Sequence, residues 1–482
     1  MDWWLYLIIG VCALVVALIL VVLIRTLNFK PEKEIVLGKE EIEFDRDKAV
    51  SDLAKMVKLR TVSSRIKEEE NEAEFRKFEK LIFDCFPTLV KTCSFEKVGE
   101  RGLLFRWKGM SPTSPVILMS HYDVVSVVDE DWQKPAFGGI IEDGVLWGRG
   151  TLDTKVTLNS ALQASETLMK QGFVPQNDIY FAFSGDEEIS GTGAPGIVDK
   201  FLKEGVNPML VLDEGGAVVQ GVFPGVKEKI ALVGIAEKGM TDLEFSVKTN
   251  GGHASSPPRV TAIGKLSSAC VKVEKHPAKF TMSKPASLMF DTLGRRSTFA
   301  LRMVMANLWL FKGVLNGMCK KKGGEMNALL RTTVAFTQMQ GSKGSNVLPP
   351  EAKMVANLRL ISGDTPEKAI ERIRKTIKDD DVKLRKIIGT VPSRISTTDC
   401  DGWAKIKDAI KTTWDGVVVS PYLMVACSDS RHYGVLSDKV YRFSSMELSA
   451  YERSLIHGND ERIPLETIYK SVEFYIRLIK SC

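Results

Sequence analysis

The sequence predicts an α/β protein with a mainly parallel central sheet and flanking helices, an inserted α+β domain and one N-terminal transmembrane helix. Short apolar runs alternate with helical stretches over residues 45–229, which is typical of a parallel sheet. Strand patterns dominate residues 230–385, and strand and helix segments return over residues 386–482. An uncharged apolar stretch, Trp3 to Ile24, precedes all of them.

The length, charge and cysteine pattern of the chain limit the classes of protein to which it could belong. Its 482 residues exceed what one simple core usually contains, so two domains are expected. The net charge of +6 is spread along the chain, and the longest basic run, Lys320 to Lys322, favours a solvated surface over a nucleic-acid site. We therefore predict no nucleic-acid binding. The eight cysteines form no CxxC pair, which argues against a zinc ribbon, although Cys85 and Cys93 could pair in an oxidising compartment.

The apolar N-terminal stretch predicts a retained, single-pass membrane anchor over residues 1–27. It is long enough to cross about 30 Å of hydrocarbon as a helix. A cleaved signal peptide is the alternative, but its apolar core is normally shorter and its start basic, whereas this chain carries Asp2. Arg25 and Lys30 follow the span, so the positive-inside rule weakly favours a cytoplasmic main part, and the orientation stays open.

The main domain is expected to follow a charged stalk over residues 28–44 and to begin near Asp45. Its clearest strand patterns are Pro115 to Met119, Ile179 to Phe183 and Met209 to Leu212. Each of these runs is followed by histidine or acidic residues. Because reactive groups collect at the carboxyl ends of parallel strands, we expect these side chains to lie close together.

The inserted domain is expected over residues 230–385. It has four strand patterns and one helix pattern, at Ile230 to Gly234, Asp242 to Lys248, Thr332 to Thr337, Ala352 to Leu360 and Thr365 to Ile377. The hydrophobic stretch Phe299 to Met318 is interrupted by Arg302 and Lys312. Those charges favour a buried or partner-facing pair of helices over a second membrane span.

Two short motifs offer candidate metal ligands. His121 and Asp123 form an HxD motif at a strand end, where a histidine can bind zinc while the carboxylate orients its ring. A structural histidine would give the same motif. Asp153 follows a glycine-rich turn and precedes a helix, so it could instead be a helix N-cap.

Acidic clusters strengthen the case for cations. The adjacent carboxylates of Asp186, Glu187 and Glu188 repel one another unless cations are present, although a solvated loop is the alternative. Asp213 and Glu214 repeat the pattern after the next strand, and the chain has only five histidines, of which His457 lies near the end. Two histidines with several carboxylates are the ligands of paired zinc ions bridged by one carboxylate.

These motifs together resemble one enzyme family. They are Ser120 to Val125, Gly148 to Lys155, Asp186 to Glu188, Gly252 to Pro258 and Ser428 to Arg431. Their order resembles that in the co-catalytic zinc peptidases and amidohydrolases that include aminoacylase and glutamate carboxypeptidase. The resemblance is greatest to the carboxypeptidase S and N-fatty-acyl-amino-acid synthase/hydrolase branch, and it covers roughly residues 45 to 480.

The resemblance implies two zinc ions per chain in the main, catalytic domain. Their expected ligands are His121, Asp153, Glu188, Glu214 and His457. Asp153 would bridge the ions, one also bound by His121 and Glu214 and the other by Glu188 and His457. Asp123 would orient His121, and Glu187 would be the general base. At the position of Glu214, relatives carry either a single carboxylate or a pair of them, so Asp213 remains an alternative ligand.

The resemblance also implies substrate contacts and an activity. His253, in an insert that acts as a lid and dimerisation domain, would reach the site of the partner in a homodimer. Asn346, Arg359 and Arg431 would contact the substrate, although each could be an ordinary surface or structural residue. The expected reaction is hydrolysis of the amide bond of small peptides or N-acyl amino acids, with condensation as the reverse. The alternatives are an ester or phosphoester hydrolase and a membrane-anchored receptor or scaffold without catalysis.

Overall fold

The computed structural model describes residues 3–31, 38 and 40–482 of the chain. The helices, in chain order, are α1 (Trp3–Asn28), α2 (Arg46–Val57), α3 (Glu72–Cys85), α4 (Pro87–Thr92), α5 (Lys155–Lys170), α6 (Gly193–Glu204), α7 (Ala262–Lys275), α8 (Lys284–Gly294), α9 (Phe299–Ala306), α10 (Leu308–Lys322), α11 (Gly324–Ala328), α12 (Pro366–Ile377), α13 (Asp401–Thr413), α14 (Ala450–Ser454) and α15 (Leu465–Ser481). The strands are β1 (Ser94–Val98), β2 (Gly102–Trp107), β3 (Ser111–His121), β4 (Ile140–Glu142), β5 (Val145–Trp147), β6 (Asn177–Ser184), β7 (Leu210–Val219), β8 (Ile230–Glu237), β9 (Gly239–Lys248), β10 (Gly252–His253), β11 (Thr333–Gln340), β12 (Val347–Leu348), β13 (Glu351–Leu360), β14 (Lys383–Gly389), β15 (Val418–Met424), β16 (Val440–Glu447) and β17 (Arg462–Pro464).

The main body is built on an eight-stranded sheet, in the order β1-β2-β6-β3-β7-β16-β8-β15. Strands β3, β6, β7 and β16 form a parallel core, and β15 pairs parallel with β8. Successive residues of β3 face opposite sides of the sheet, because Val116 and Leu118 join one hydrophobic cluster while Ile117 and Met119 join another. The predicted α/β class with a mainly parallel sheet is thereby confirmed.

A smaller body is built on a four-stranded antiparallel sheet, in the order β11-β13-β9-β14. Helices α7 and α12 cover one face of this sheet and share a hydrophobic core with it. The strand β9 is buried at every second residue, as expected for a sheet with one covered face. The insert was expected over residues 230–385, and the strands of this sheet run from Gly239 to Gly389.

Two segments of the expected insert lie in the main body instead. The strand β8, expected at the start of the insert, pairs with β15 and is buried along its whole length. Its continuous apolar run suits a central strand covered on both faces, unlike the alternating pattern of β9. Helix α8 also packs on the main core, through Phe290 and Leu293. At the other end, β14 extends the smaller body to Gly389.

The N-terminal helix α1 is 26 residues long and is long and apolar enough to cross a membrane, although a signal sequence has the same features. Its side chains are mostly exposed, and only Val22 and Thr26 are buried. Residues 1–2 of the expected anchor, and residues 32–37 and 39 of the expected stalk, lie outside the described residues. Cys85 and Cys93 are buried free thiols, so they do not form the bridge that their spacing left open.

Candidate active site

The candidate site lies at the carboxyl ends of β3 and β6 and beside the middle of the neighbouring strand β7. His121 is the last residue of β3, Glu187 and Glu188 follow β6, and Glu214 lies within β7. Asp153 reaches the same place from the turn before α5. His457, which follows α14, completes the cluster from the C-terminal part of the chain. Residues far apart in sequence thus meet at one edge of the sheet, as the strand-end pattern predicted.

The carboxylate of Asp153 lies between the two histidines. Its Oδ1 atom is 3.0 Å from Nε2 of His121, and its Oδ2 atom is 2.9 Å from Nε2 of His457. The two oxygens of one carboxylate therefore point to different imidazoles. This is the arrangement that a carboxylate needs to bridge two ions, each with its own histidine.

Each histidine also has an acidic neighbour of its own. Oε1 of Glu214 is 3.3 Å from Nε2 of His121, and Oε2 of Glu188 is 3.2 Å from Nε2 of His457. Asp213 points elsewhere, because its Oδ2 atom accepts a hydrogen bond of 2.9 Å from the backbone N–H of Ser430. Of the two acids that the sequence left open, Glu214 is the one that faces His121.

The ligand atoms of the cluster are of the kind, and close enough together, to bind divalent metal ions. The ligand atoms of His121, Asp153 and Glu188 lie within 4.8 Å of one another, and so do those of His121, Glu187 and Glu214. The Oε1 atom of Glu188 is buried and has no hydrogen-bond partner, so it is available as a ligand. Imidazole and carboxylate groups form the donor set that zinc prefers in catalytic sites.

The pKa values of the candidate ligands also favour cation binding. Burial lowers the pKa of His121, but Glu214, Asp123 and Asp153 outweigh burial and raise it well above its usual value. Hydrogen bonds to Asp153 and Glu188 raise the pKa of His457 to about 10. Burial, followed by repulsion from Asp153, raises the pKa of Glu214 to about 8. The site therefore retains protons at neutral pH that cations would displace on binding.

Asp123 orients both a histidine and the acidic loop. Its carbonyl oxygen is 3.0 Å from Nδ1 of His121, so we assign the Nδ1–H as donor and Nε2 as the nitrogen that faces the cluster. Its carboxylate accepts 3.1 Å hydrogen bonds from the N–H groups of Glu187 and Glu188, and one of 2.7 Å from Ser63. Oδ1 of this carboxylate also lies 3.3 Å from Nδ1 of His121, so loss of the carboxylate would disturb both parts of the cluster at once.

The side chain of Glu187 lies next to His121 and Glu214 without belonging to either histidine–acid pair. Burial is the largest influence on its pKa and raises it well above the usual value. The carboxylates of Asp429, Glu214 and Glu188 raise it further, although His121 opposes them. A carboxylate whose pKa is raised in this way is suited to accept and release protons near neutral pH.

Glu461 supports the site, and the sequence reasoning missed it. This fully buried carboxylate accepts hydrogen bonds from the backbone N–H of Leu152 at 2.7 Å and of Gly150 at 3.1 Å. It also forms an ion pair of 2.6 Å with Arg149. It therefore holds the turn that presents Asp153. Its position close to His457 in sequence was the available signal, but a surface acid would look the same.

Of the predicted substrate contacts, Arg431 lies near the cluster and Arg359 reaches the main body. Arg431 lies in a 3₁₀ segment, Asp429–Val435, and its Nε–H donates to Nε2 of His432 at 3.2 Å. Burial lowers the pKa of Arg431, but the nearby carboxylates of Glu237, Asp429 and Glu187 outweigh burial, so its charge lies close to the candidate base. Arg359 reaches the main body from β13 through Sγ of Cys427, at 3.3 Å.

The other two predicted contacts lie away from the cluster. His253 ends β10, and Asn346 directly precedes β12, in an exposed two-stranded ribbon formed by these strands. The ribbon is closed by a 3.0 Å hydrogen bond from Ala254 N to the carbonyl of Asn346. Nδ1 of His253 lies 2.8 Å from Oγ of Ser255. Within the described chain, no hydrogen bond or ion pair joins these two residues to the cluster.

Comparison with known proteins gives one consistent family. The family described as peptidase family M20/M25/M40 matches residues 117–481. A probable carboxypeptidase S-like 2 from Dictyostelium discoideum is 34% identical over 97% of this chain and 92% of its own length. The N-fatty-acyl-amino acid synthase/hydrolase PM20D1 from Xenopus tropicalis is 36% identical over 97% of this chain and 93% of its own.

Solved structures are similar in fold at low identity. The M20 family metallo-carboxypeptidase Sso-CP2 from Sulfolobus solfataricus superposes with a TM-score of 0.65, at 16% identity, over 90% of this chain and 98% of that one. Human carnosine dipeptidase 1 gives a TM-score of 0.62 at 13% identity, over 90% of this chain and 96% of that one. At these identities the likeness shows the shared fold alone.

Proposed function

The chain belongs to peptidase family M20/M25/M40, a family of hydrolases, and we propose that it is a two-zinc enzyme that cleaves the amide bond of small peptides or N-acyl amino acids. One observation carries the proposal: Asp153 lies between His121 and His457, and each histidine has an acidic neighbour of its own. A receptor or scaffold would have no need of this complete set.

Five residues would hold the ions: His121, Asp153, Glu188, Glu214 and His457. Asp153 would be shared, His121 and Glu214 would bind one ion, and Glu188 and His457 the other. Zinc held by these residues would supply a Lewis acid to polarise the scissile carbonyl and to activate water as a nucleophile. Asp123 orients His121 and the acidic loop, and Glu461 orients the turn of Asp153.

Glu187 would move the protons of the reaction. Its carboxylate would take a proton from the attacking water and deliver it to the leaving nitrogen of the amide. The burial that raises the pKa of Glu187 supports this role, because a strongly acidic carboxylate would not retain the proton between the two steps. The adjacent Glu188, whose side chain faces His457 instead, would only bind metal.

Arg431 would bind the free carboxylate of the substrate. Its planar guanidinium matches a carboxylate through two parallel hydrogen bonds, and its charge lies close to Glu187. The names of two relatives, a carboxypeptidase and an N-fatty-acyl-amino acid synthase/hydrolase, favour an amino acid with a free carboxylate as the recognised group. The same residues would serve condensation of an amine with an acid in the reverse direction.

Two further features belong to the proposal. The helix α1 would remain as a single-pass membrane anchor, since its side chains are apolar and mostly exposed. A homodimer would bring His253 of one copy to the site of the other, where it would stabilise the developing negative charge on the carbonyl oxygen. Its exposed position, away from the cluster of its own chain, supports this arrangement.

Metal analysis with a turnover screen tests the proposal. We expect the purified full chain to bind about two zinc ions and to hydrolyse dipeptides or N-acyl amino acids, with activity lost on chelation. Asp153→Ala should lose zinc and turnover together, because it removes the shared ligand. Full activity with one ion, or normal turnover by the Asp153→Ala protein, would contradict the two-zinc site. Two bound ions without turnover of either substrate class would favour the receptor or scaffold.

A further inference from the structure

Beyond the N-terminal helix, a second part of the chain carries an apolar surface that no other part of the described structure covers. This part is the helical pair α9–α10, which Asn307 joins. One face of α10 packs on the main body through Leu315 and Cys319. The opposite face exposes large apolar side chains, namely Trp309, Leu310, Val314 and Met318, by 42 to 55%.

The outward face of α10 is continuous as well as apolar. Gly313 and Gly317 lie between the exposed side chains, and a Cβ atom on either would meet nothing within 4 Å. Between Trp309 and Met318, Lys312 is the only charged residue. The basic run Lys320 to Lys322 then ends the helix. A helix with such an apolar face and terminal lysines is typical of segments that lie in the plane of a membrane surface.

The helical pair is attached to the C-terminal end of α1. Both guanidinium nitrogens Nε and Nη2 of Arg25 donate to the carbonyl of Ala306, at 3.2 and 3.1 Å. Nδ2 of Asn307 donates at 3.3 Å to the carbonyl of Val22 and to Oγ1 of Thr26. These are the buried contacts of α1, whereas its preceding turns are exposed.

This attachment fixes where the pair would lie in a bilayer. From Trp3 to Val22, a helix rising about 1.5 Å per residue covers about 30 Å, the thickness of the hydrocarbon core. The junction of α9 and α10 therefore lies at the boundary between hydrocarbon and headgroups when α1 spans the membrane. Helix α10 begins one residue after this junction, with Trp309 as its second residue, and tryptophan favours this boundary.

Basic groups surround the same level. Arg25 and Lys30 follow the apolar part of α1, and Nη1 of Arg295 donates to the carbonyl of Lys30 at 3.0 Å while its guanidinium stacks on Phe29. A cationic side chain at this height would lie next to the phosphates of the headgroups, and Arg295 is also held there by an ion pair of 2.8 Å with Asp291. A second protein copy would not explain why both the basic groups and the apolar face occur at the boundary that α1 defines.

We infer that α9–α10 is a membrane-docking element, whose exposed face inserts into the phospholipid surface beside α1. With α1 alone, the main body could rotate and tilt about a single helix. A second attachment in the plane of the membrane would hold the body in one orientation. The inference rests on α1 as a retained anchor and does not depend on catalysis.

Photo-crosslinking in phospholipid nanodiscs tests the inference on the full chain. Benzoylphenylalanine replaces Val314 in one variant and, as the matched control, Val174 in another, since Val174 is 50% exposed and lies on the main body after α5. We expect phospholipid adducts at position 314 and none at position 174. Absence of lipid adducts at 314, equal adducts at both positions, a crosslink to a second copy, or recovery of the chain outside the nanodiscs would overturn the inference.

A second set of variants adds negative charge to the same face. Val314→Glu with Met318→Glu should remove the lipid adduct of a benzoylphenylalanine at Leu310, because charges oppose insertion of the face. Both positions are exposed, so the midpoint of thermal unfolding should not change. Val174→Glu is the control and should leave the adduct intact. Persistence of the adduct in the Val314→Glu, Met318→Glu protein would overturn the inference.

Discussion

Candidate functional residues occur in both bodies of the molecule, but the two bodies hold them differently. In the main body, His121 and Asp153 are largely buried and contact several members of one cluster. In the smaller body, His253 and Asn346 lie on an exposed ribbon that pairs only two residues from each strand. One chain therefore positions its candidate metal ligands by itself, whereas the ribbon has no comparable set of contacts within the described residues.

The difference has an electrostatic reason. Carboxylates gathered in a buried site repel one another, so each must be fixed by donors or by cations. Asp123 and Glu461 supply this support by accepting backbone N–H groups from the loops that carry Glu187, Glu188 and Asp153. An exposed histidine on a short ribbon is surrounded by water and needs no such support. We therefore expect mutations in the main body to change zinc binding or proton transfer, and mutations in the ribbon to change turnover while zinc stays bound.

The largest effects should come from the neighbouring acids Glu187 and Glu188. Glu187→Gln should keep both zinc ions and substrate affinity but lose turnover by roughly 100-fold or more, because an amide cannot act as the base. Glu188→Gln should lose zinc, because a metal ligand needs the charged carboxylate. Zinc content and turnover, measured on both proteins, separate the two roles. Normal turnover of Glu187→Gln, or equal zinc loss in both, would contradict the assignment.

A mixing experiment tests whether the exposed ribbon acts across a dimer. His253→Ala should lower turnover by roughly 100-fold without changing zinc content, if the histidine stabilises the carbonyl oxygen of the partner's substrate. Mixing it with inactive Glu187→Ala should restore part of the activity, since some sites then combine an intact base with an intact histidine. Asn346→Ala serves as a second variant of the ribbon. Verified mixed dimers without recovered turnover would remove the shared site.

Glu461 offers a smaller effect that reaches the cluster indirectly. Glu461→Gln should weaken zinc binding by roughly 10–100-fold, as is common when a residue that orients a ligand is changed. Asp460→Asn is the matched control, because Asp460 binds the exposed N–H of Gln133 and no part of the Asp153 turn. Competition with a chelator would measure both affinities. Equal affinities for the two proteins would show that the turn needs no help from Glu461.

The N-terminal helix lies outside both regions, so its deletion should have the smallest effect on turnover. Deletion of residues 1–27 should leave turnover unchanged, because every candidate catalytic residue lies far downstream. Rates of the truncated and full chains, compared in the same detergent, check this expectation. Loss of activity in a folded, truncated protein would mean that α1 also shapes the site. A mature protein that starts beyond Ile24 would show that the segment is a cleaved signal.

The fold was predictable in class but not in every boundary. Alternating strand and helix patterns predicted the parallel sheet, because a buried parallel strand needs a short continuous apolar run. The strand β8 follows the same rule, yet its position in the chain suggested that it opened the insert. Its pairing with β15, almost two hundred residues later in the chain, places it in the main sheet. Such a long-range pairing leaves no local signal in the sequence.

The residue types that could bind metal, and their places close to predicted strands, were readable from the sequence, because parallel strands present their carboxyl ends at one edge. That Glu214, and not Asp213, faces His121 became visible only in the folded chain. Successive residues of a strand point to opposite sides, and packing selects the side that faces His121. The role of Glu461 was likewise decided by folding, since its contacts with Gly150 and Leu152 join segments about three hundred residues apart.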